Sequence, residues 1–216
     1  MALASFITLP YKLEREQPPF ESNEIKTPES LPRYFIREMT KPGAKVFDPF
    51  VGLGTTMFVA EELKRVPYGI EADPRRHEWV AGQMEHWMNV LCTDSARAAS
   101  IGLPKMDISL TAPPFMAINH KWNPLYGGDP SKDGYDVYLK RMQHIYKQVA
   151  QVMKRNAPVI VQVDNIPGRT FTPLIRDLSN AISKVLKLEN EVTIAWQGGR
   201  DDYRHTHCLI FKNAAV

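Results

Sequence analysis

Apolar positions along the chain follow two rhythms in turn. Short apolar runs recur at 45–48, 68–71, 88–92, 108–110 and 158–164, and the last is rich in β-branched residues. Stretches between them return apolar residues at helical spacing, so strands and helices alternate. Thr27-Pro28-Glu29-Ser30 predicts a helix start, with Thr27 as N-cap and Pro28 in the first turn. Leu31, Phe35, Ile36 and Met39 continue that helix, and Lys41-Pro42-Gly43 stops it. Further helices are predicted over 55–65, 74–86, 135–155 and 172–186. Two closing strands, 191–196 and 205–212, follow without a helix between them. The expected architecture is an open, mostly parallel α/β sheet with one antiparallel strand, because a chain that ends on two successive strands reverses direction once. Residues 1–29 carry Pro, Glu and Lys without either rhythm and predict an irregular arm.

Composition narrows this picture only a little. The 216 residues fit one domain, taken as 1–216, and suffice for a substantial core. The net charge of +3 permits a polyanionic partner without requiring one. Cys92 and Cys208 form no disulfide framework, so a reducing, cytoplasmic setting is the expectation. No apolar run is long enough for a bilayer, and no signal peptide or membrane partner is expected.

The chemistry concentrates first at Val46-Phe47-Asp48-Pro49-Phe50-Val51-Gly52-Leu53-Gly54-Thr55-Thr56. A strand ends in an acid, two glycines make a tight loop, and two threonines open a helix whose free N–H groups face a ligand. Glu71 ends the next strand seventeen residues past Gly54, near the roughly 20-residue spacing at which nucleotide-binding folds place a ribose-binding carboxylate. Asp94 follows the third strand, where it can cap a helix or hold a ligand. The stretch Asp48 to Thr56 resembles motif I of S-adenosylmethionine (SAM)-dependent methyltransferases, in particular those that methylate exocyclic amino groups of nucleic-acid bases. The resemblance implies the seven-stranded, Rossmann-like class I fold over about 27–212. It implies SAM as cofactor, held by Asp48, Pro49, Phe50, Gly52, Gly54, Thr55, Thr56, Glu71 and Asp94. Thr27, in a segment loosely similar to the family's motif before the first strand, is added at the methionine end.

Thr111-Ala112-Pro113-Pro114-Phe115 is the second signal. It resembles motif IV of the same family, where a Ser, Asp or Asn precedes Pro-Pro and an aromatic. An exocyclic amino nitrogen is a weak nucleophile, and acceptors placed on its hydrogens stabilise the charge that grows as methyl arrives. The prolines leave carbonyls free, and the aromatic stacks on an extruded base. This sequence departs from the pattern at Ala112, which has no acceptor. Thr111 carries a hydroxyl one residue earlier, but on a continuing strand it points to the other face. The catalytic candidates are Thr111, Ala112, Pro113, Pro114 and Phe115. The departure at Ala112 also admits a non-catalytic SAM-binding subunit.

The loop 116–133 interleaves aromatics and cations, a mixture suited to nucleic acid. His120, Lys121 and Trp122 there, and Arg200 near the end of the chain, are the substrate candidates. His205-x-His207-Cys208 invites a metal, but Cys208 faces away from both histidines on one strand, so none is expected. Trp79 and Trp87 are assigned to core packing, and the charges of 135–155 to a solvated face. The leading expectation is methylation of cytosine N4, or adenine N6, in DNA. Guanine N2 in RNA is the alternative. Motif I precedes motif IV with no inserted recognition domain, so selectivity comes from short loops or a partner such as a specificity subunit, or is low.

Overall fold

The computed structural model describes residues 4–21, 26–127, 129–199 and 203–214. Eight strands form one sheet: β1 (Phe6–Pro10), β2 (Lys45–Asp48), β3 (Val66–Glu71), β4 (Val90–Cys92), β5 (Ile108–Thr111), β6 (Pro158–Val163), β7 (Lys187–Gln197) and β8 (His205–Lys212). Their order is β1-β7-β8-β6-β5-β2-β3-β4, and β8 alone runs antiparallel to its neighbours. The order reverses between β2 and β5, so a crevice opens beyond Asp48 and Thr111. Ligands of open α/β sheets bind at such a place.

Helices cover both faces. On one side lie α1 (Ser30–Met39), α2 (Thr55–Glu62) and α3 (Pro74–Ala81). Leu31, Phe35 and Ile36 of α1 pack there with Val46, Ile108, Leu110 and Ile160 of the sheet. On the other side lie α4 (Tyr135–Val152) and α5 (Leu174–Ile182), packed on Phe47, Val159, Val161 and Val163. Consecutive residues of each central strand thus serve opposite layers, as the two-residue period of a strand requires.

Four expectations are corrected. The arm is not wholly irregular: Phe6–Pro10 forms β1 and adds an eighth strand, parallel to β7 from Phe6–Thr193 to Pro10–Gln197. Ile7 and Leu9 alternate inward onto the α1 layer, a pattern too short to stand out in an arm with four prolines. Thr27 does not cap α1. The helix starts after Glu29, and the Thr27 hydroxyl donates instead to Gln162 Oε1 at 2.8 Å. Trp87 is 58% exposed rather than in the core, because 87–89 form a 3₁₀ turn and β4 begins only at Val90. Arg141 is not on a solvated face: it turns inward to pair with Asp94.

The arm is tied down by a buried ion pair. Lys26 Nζ lies 3.0 Å from Glu29 Oε1 and donates to the Arg15 carbonyl at 3.0 Å. Glu29 Oε2 accepts from the Glu14 amide at 3.0 Å. Removing one member of such a pair leaves the other charge buried and uncompensated. Lys26→Met is therefore expected to lower unfolding stability by about 3–5 kcal/mol, measured by urea denaturation, and Lys26→Met/Glu29→Gln to recover part of the loss.

Candidate active site

The loop from β2 to α2 is built around Asp48. The carboxylate is buried, and its Oδ1 accepts from the Phe50 amide at 3.0 Å and from the Thr111 hydroxyl at 2.6 Å. The Thr56 hydroxyl donates to it as well. Burial pushes the Asp48 carboxyl up to about 6, against the pull of the Thr111, Phe50 and Thr56 bonds. A carboxylate held this way by neutral donors, with no ion pair to it among the described residues, is suited to receive a positively charged ligand group. Thr111 is thereby spent on Asp48, is fully buried, and leaves the set of groups available to a substrate.

Glycine is required where α2 begins. Gly54 has φ +82°, and a Cβ there would lie 2.7 Å from Phe58 and 3.0 Å from Val80. Thr55 and Thr56 follow it, buried in the first turn. Gly52 sits one step closer to the crevice with φ +55° and donates its amide to Glu71 Oε2 at 2.7 Å. Glu71 Oε1 accepts from the Asp73 amide at 2.8 Å. Burial raises the Glu71 carboxyl, opposed by those two amides. Glu71 therefore ties the glycine loop to the end of β3, and its remaining lone pairs are what a ribose hydroxyl would find.

The crevice is lined by Lys26, Thr27, Asp48, Phe50, Gly52 and Ala112, with Thr55, Thr56, Arg76 and Glu21 at its sides. The first and second signals of the sequence thus share one cavity wall. Pro49 contributes its carbonyl, which accepts from the Ser95 hydroxyl, and Phe50 is half-buried against the α4 layer. Arg76 bonds Glu21 Oε2 at 2.8 Å through Nε, bringing the arm to the rim. Asp94 fulfils the capping role by accepting from the Ala96 amide at 2.8 Å. Its other oxygen pairs with Arg141, whose guanidinium lies 4.8 Å over the Tyr126 ring. Nothing in the local pattern singles out Arg141, because a lone arginine in an amphipathic helix looks like any other surface charge.

At the mouth of the crevice Ala112 is exposed, and beyond it the Pro114 carbonyl accepts from the Tyr138 hydroxyl at 2.9 Å. Pro113 is buried, while Phe115 projects with 51% exposure. Trp122 is 50% exposed, and Lys121 and His120 lie in solvent beside it. His120 Nδ1 is 3.3 Å from the Trp122 carbonyl. Arg200 lies outside the described residues. A residue the sequence reading passed over joins this surface: Phe171, 58% exposed, in a hairpin closed by Ile166 and Thr172. Thr172 Oγ1 accepts from the Ile118 amide at 2.9 Å, so the hairpin and the loop after β5 are one unit. At the end of β6, Asp164 accepts from the Thr206 hydroxyl at 2.8 Å, the Tyr203 hydroxyl at 3.2 Å and the His207 amide at 3.2 Å. Burial raises its carboxyl. Among the described residues no group of three or more His, Cys, Asp or Glu is placed to hold a metal ion, and no helix is long and apolar enough to cross a membrane.

This sheet order with its crevice defines the class I SAM-dependent methyltransferase fold, and solved structures agree. A methyltransferase from Pyrococcus furiosus superposes with a TM-score of 0.61 at 14% identity, over 94% of this chain and 90% of the other. TrmN from Thermus thermophilus gives 0.56 at 19% identity, over 85% of this chain and 48% of the other. The fibrillarin pre-rRNA processing protein of Methanococcus jannaschii gives 0.52 at 13% identity, over 81% and 69%. Within that class, residues 7–82 match the sequence model of the DNA methylase family. The Type II methyltransferase M.MjaI of Methanocaldococcus jannaschii is 42% identical over 60 residues, 28% of this chain and 20% of the relative. The chain thus aligns with about a fifth of that relative's length. Both matches support the DNA amino-methyltransferase family for the part of the chain that carries the glycine loop.

Asp48 is costly to the empty protein. Its folded pKa of about 6 lies above the usual 3.8, so its contribution favours the fold at low pH and is lost as pH rises from about 4 through 6. That gap corresponds to about 3 kcal/mol. Asp48→Asn keeps an acceptor for Phe50 and Thr111 and removes the buried charge. It is expected to be more stable than the parent at pH 7.5 by up to about 3 kcal/mol and equal to it near pH 4, in urea denaturation without ligand.

Proposed function

We propose that the chain binds SAM in this crevice and methylates an exocyclic amino group of a nucleic-acid base, cytosine N4 or adenine N6 in DNA before any RNA target. The observation that carries the reading is that Asp48 and Gly52 share one crevice with Ala112, from which Pro113, Pro114 and the projecting Phe115 lead outward. The residues fit the cofactor. Asp48 is a buried acceptor with no ion pair to it among the described residues, suited to an amino-acid ammonium, and a Cβ on Gly52 would meet only the Phe50 carbonyl oxygen, at 3.9 Å, so a ligand can approach its backbone closely. Glu71 would take the ribose and Asp94, sharing Arg141, the adenine amino group. Thr55 and Thr56 stand at the helix N-terminus beside the loop.

When bound, SAM supplies a methyl group on a positively charged sulfur. The chain's part is to hold the amino nitrogen toward that methyl and to exclude water. Phe115 is placed to stack on the extruded base. Trp122, Phe171, Lys121 and the exposed Arg169 make the aromatic and cationic surface that receives the flanking strand. The hairpin closed by Ile166 and Thr172, joined to the loop after β5, is placed for readout, and a specificity subunit is a natural partner for it.

Two outcomes test the reading. SAM affinity, by titration calorimetry, is expected to be level above pH 6 and to fall about tenfold per pH unit below it, as free Asp48 becomes neutral. Transfer of labelled methyl to duplex DNA, single-stranded DNA and bulk RNA is expected to mark DNA most. Phe115→Ala is expected to lower it at least about tenfold with SAM affinity unchanged, since base stacking contributes about 1–3 kcal/mol. Label in RNA alone would favour the guanine N2 reading, and no label despite SAM binding would favour a non-catalytic subunit.

A further inference from the structure

The acceptor absent at Ala112 has a neighbour able to replace it. Thr111 pairs with Val161 across β5 and β6, so Ala112 falls beside Gln162. Leu110 and Ile160 pack in the α1 layer, and the two-residue period puts Ala112 and Gln162 on that same face. The Gln162 side chain is buried there and meets Thr27, which enters from the segment before α1. Thr27 and Ala112 both line the crevice.

The hydrogen bonds around Gln162 run in one direction. Tyr203 and Thr206 spend their hydroxyl protons on Asp164 Oδ2, at 3.2 and 2.8 Å. Their oxygens then accept from Gln162 Nε2, each at 3.3 Å. That orientation turns the Gln162 carbonyl toward Thr27, which donates its only hydroxyl proton at 2.8 Å. A hydroxyl has one proton and two lone pairs. With its proton committed, Thr27 Oγ1 is an acceptor only, on a residue that lines the crevice together with Ala112. Such a group is a poor partner for the SAM carboxylate, which needs donors, and a good one for an amino N–H.

Building on the proposed methyl transfer, we propose that Thr27 Oγ1 accepts the hydrogen bond from the target amino group that Ala112 cannot, with Gln162 and Asp164 as positioning residues behind it. The chain therefore carries a working acceptor, relocated from the end of β5 to the segment before α1.

A double-mutant cycle tests this, with methyl transfer and SAM affinity read separately. Thr27→Val keeps the shape and removes the acceptor. It is expected to lower kcat about 100-fold, the scale for a lost transition-state hydrogen bond, with the SAM Kd changed less than about threefold. Thr27→Ser keeps the hydroxyl and is expected to lose far less. Ala112→Ser in the Thr27→Val background is expected to restore most of the rate, while in the parent it adds less than about fivefold. That non-additivity is the signature of one shared role. An active parent with an equally active Thr27→Val would overturn the proposal and leave the methyl-transfer reading standing. So would a Thr27→Val whose only defect is a proportionate loss of SAM affinity, or an Ala112→Ser gain that is equally large in both backgrounds. A parent that binds SAM and marks no nucleic acid would instead overturn the methyl-transfer reading itself, and this acceptor role with it.

Discussion

A carboxylate stands at the end of the second strand, out of water, with three neutral donors and no ion pair to it among the described residues. The rest of the structure is arranged around that condition. The Phe50 amide curls back onto Asp48 and so starts the glycine loop. The Thr111 hydroxyl reaches it from β5 and so fixes how the two central strands end together. These bonds do not recover the full cost of burial, since the carboxyl is still held near 6. The fold keeps an electrostatic deficit in the wall of the crevice, where a cationic ligand would relieve it. Stability withheld from the empty protein becomes affinity for whatever neutralises Asp48, the usual relation between a strained site and its function.

Much of this was legible in the sequence because the informative residues are local. Asp48 to Thr56 is one turn of chain, and its glycines and threonines have few other uses together. The alternation of strand and helix, and the single reversal at β8, follow from hydrophobic rhythm alone. What escaped the reading depends on distant partners. Thr27 looked like a helix cap because its neighbours spell one, yet its hydroxyl belongs to Gln162, 135 residues away. Arg141 looked solvated until Asp94 and Tyr126 were brought to it. β1 was hidden because an edge strand packed on one face needs only two apolar side chains, Ile7 and Leu9, and those are not a pattern by themselves. Trp87 erred in the opposite direction: an apolar residue at helical spacing was taken as buried, but the helix ends at Ala81 and the spacing no longer applies.

The same logic explains why the second motif is harder to interpret than the first. A loop that binds through backbone N–H groups needs small residues at fixed places, and these can be read directly. A target pocket needs only an acceptor at a point in space, and any element that reaches the point can supply it. Ala112 removes the side chain from β5, but the face it lies on also carries Gln162 and is closed by Thr27. A missing motif residue is therefore weaker testimony against activity than a missing glycine would be.

Hydrogen-bond direction decides what that face can do. Were Gln162 rotated by half a turn, its amide would donate to Thr27, and the hydroxyl proton would point into the crevice as a donor. Asp164 prevents this by taking the protons of both Tyr203 and Thr206, leaving oxygens toward Gln162 Nε2. One half-buried carboxylate thus sets the polarity of a relay that ends at the crevice, and Asp48 sets the charge of the crevice on its other side. Two acids at the ends of β2 and β6 set the two walls: Asp48 leaves a carboxylate on one, and Asp164, through Gln162, leaves the Thr27 oxygen as an acceptor on the other, the arrangement that the proposed transfer requires.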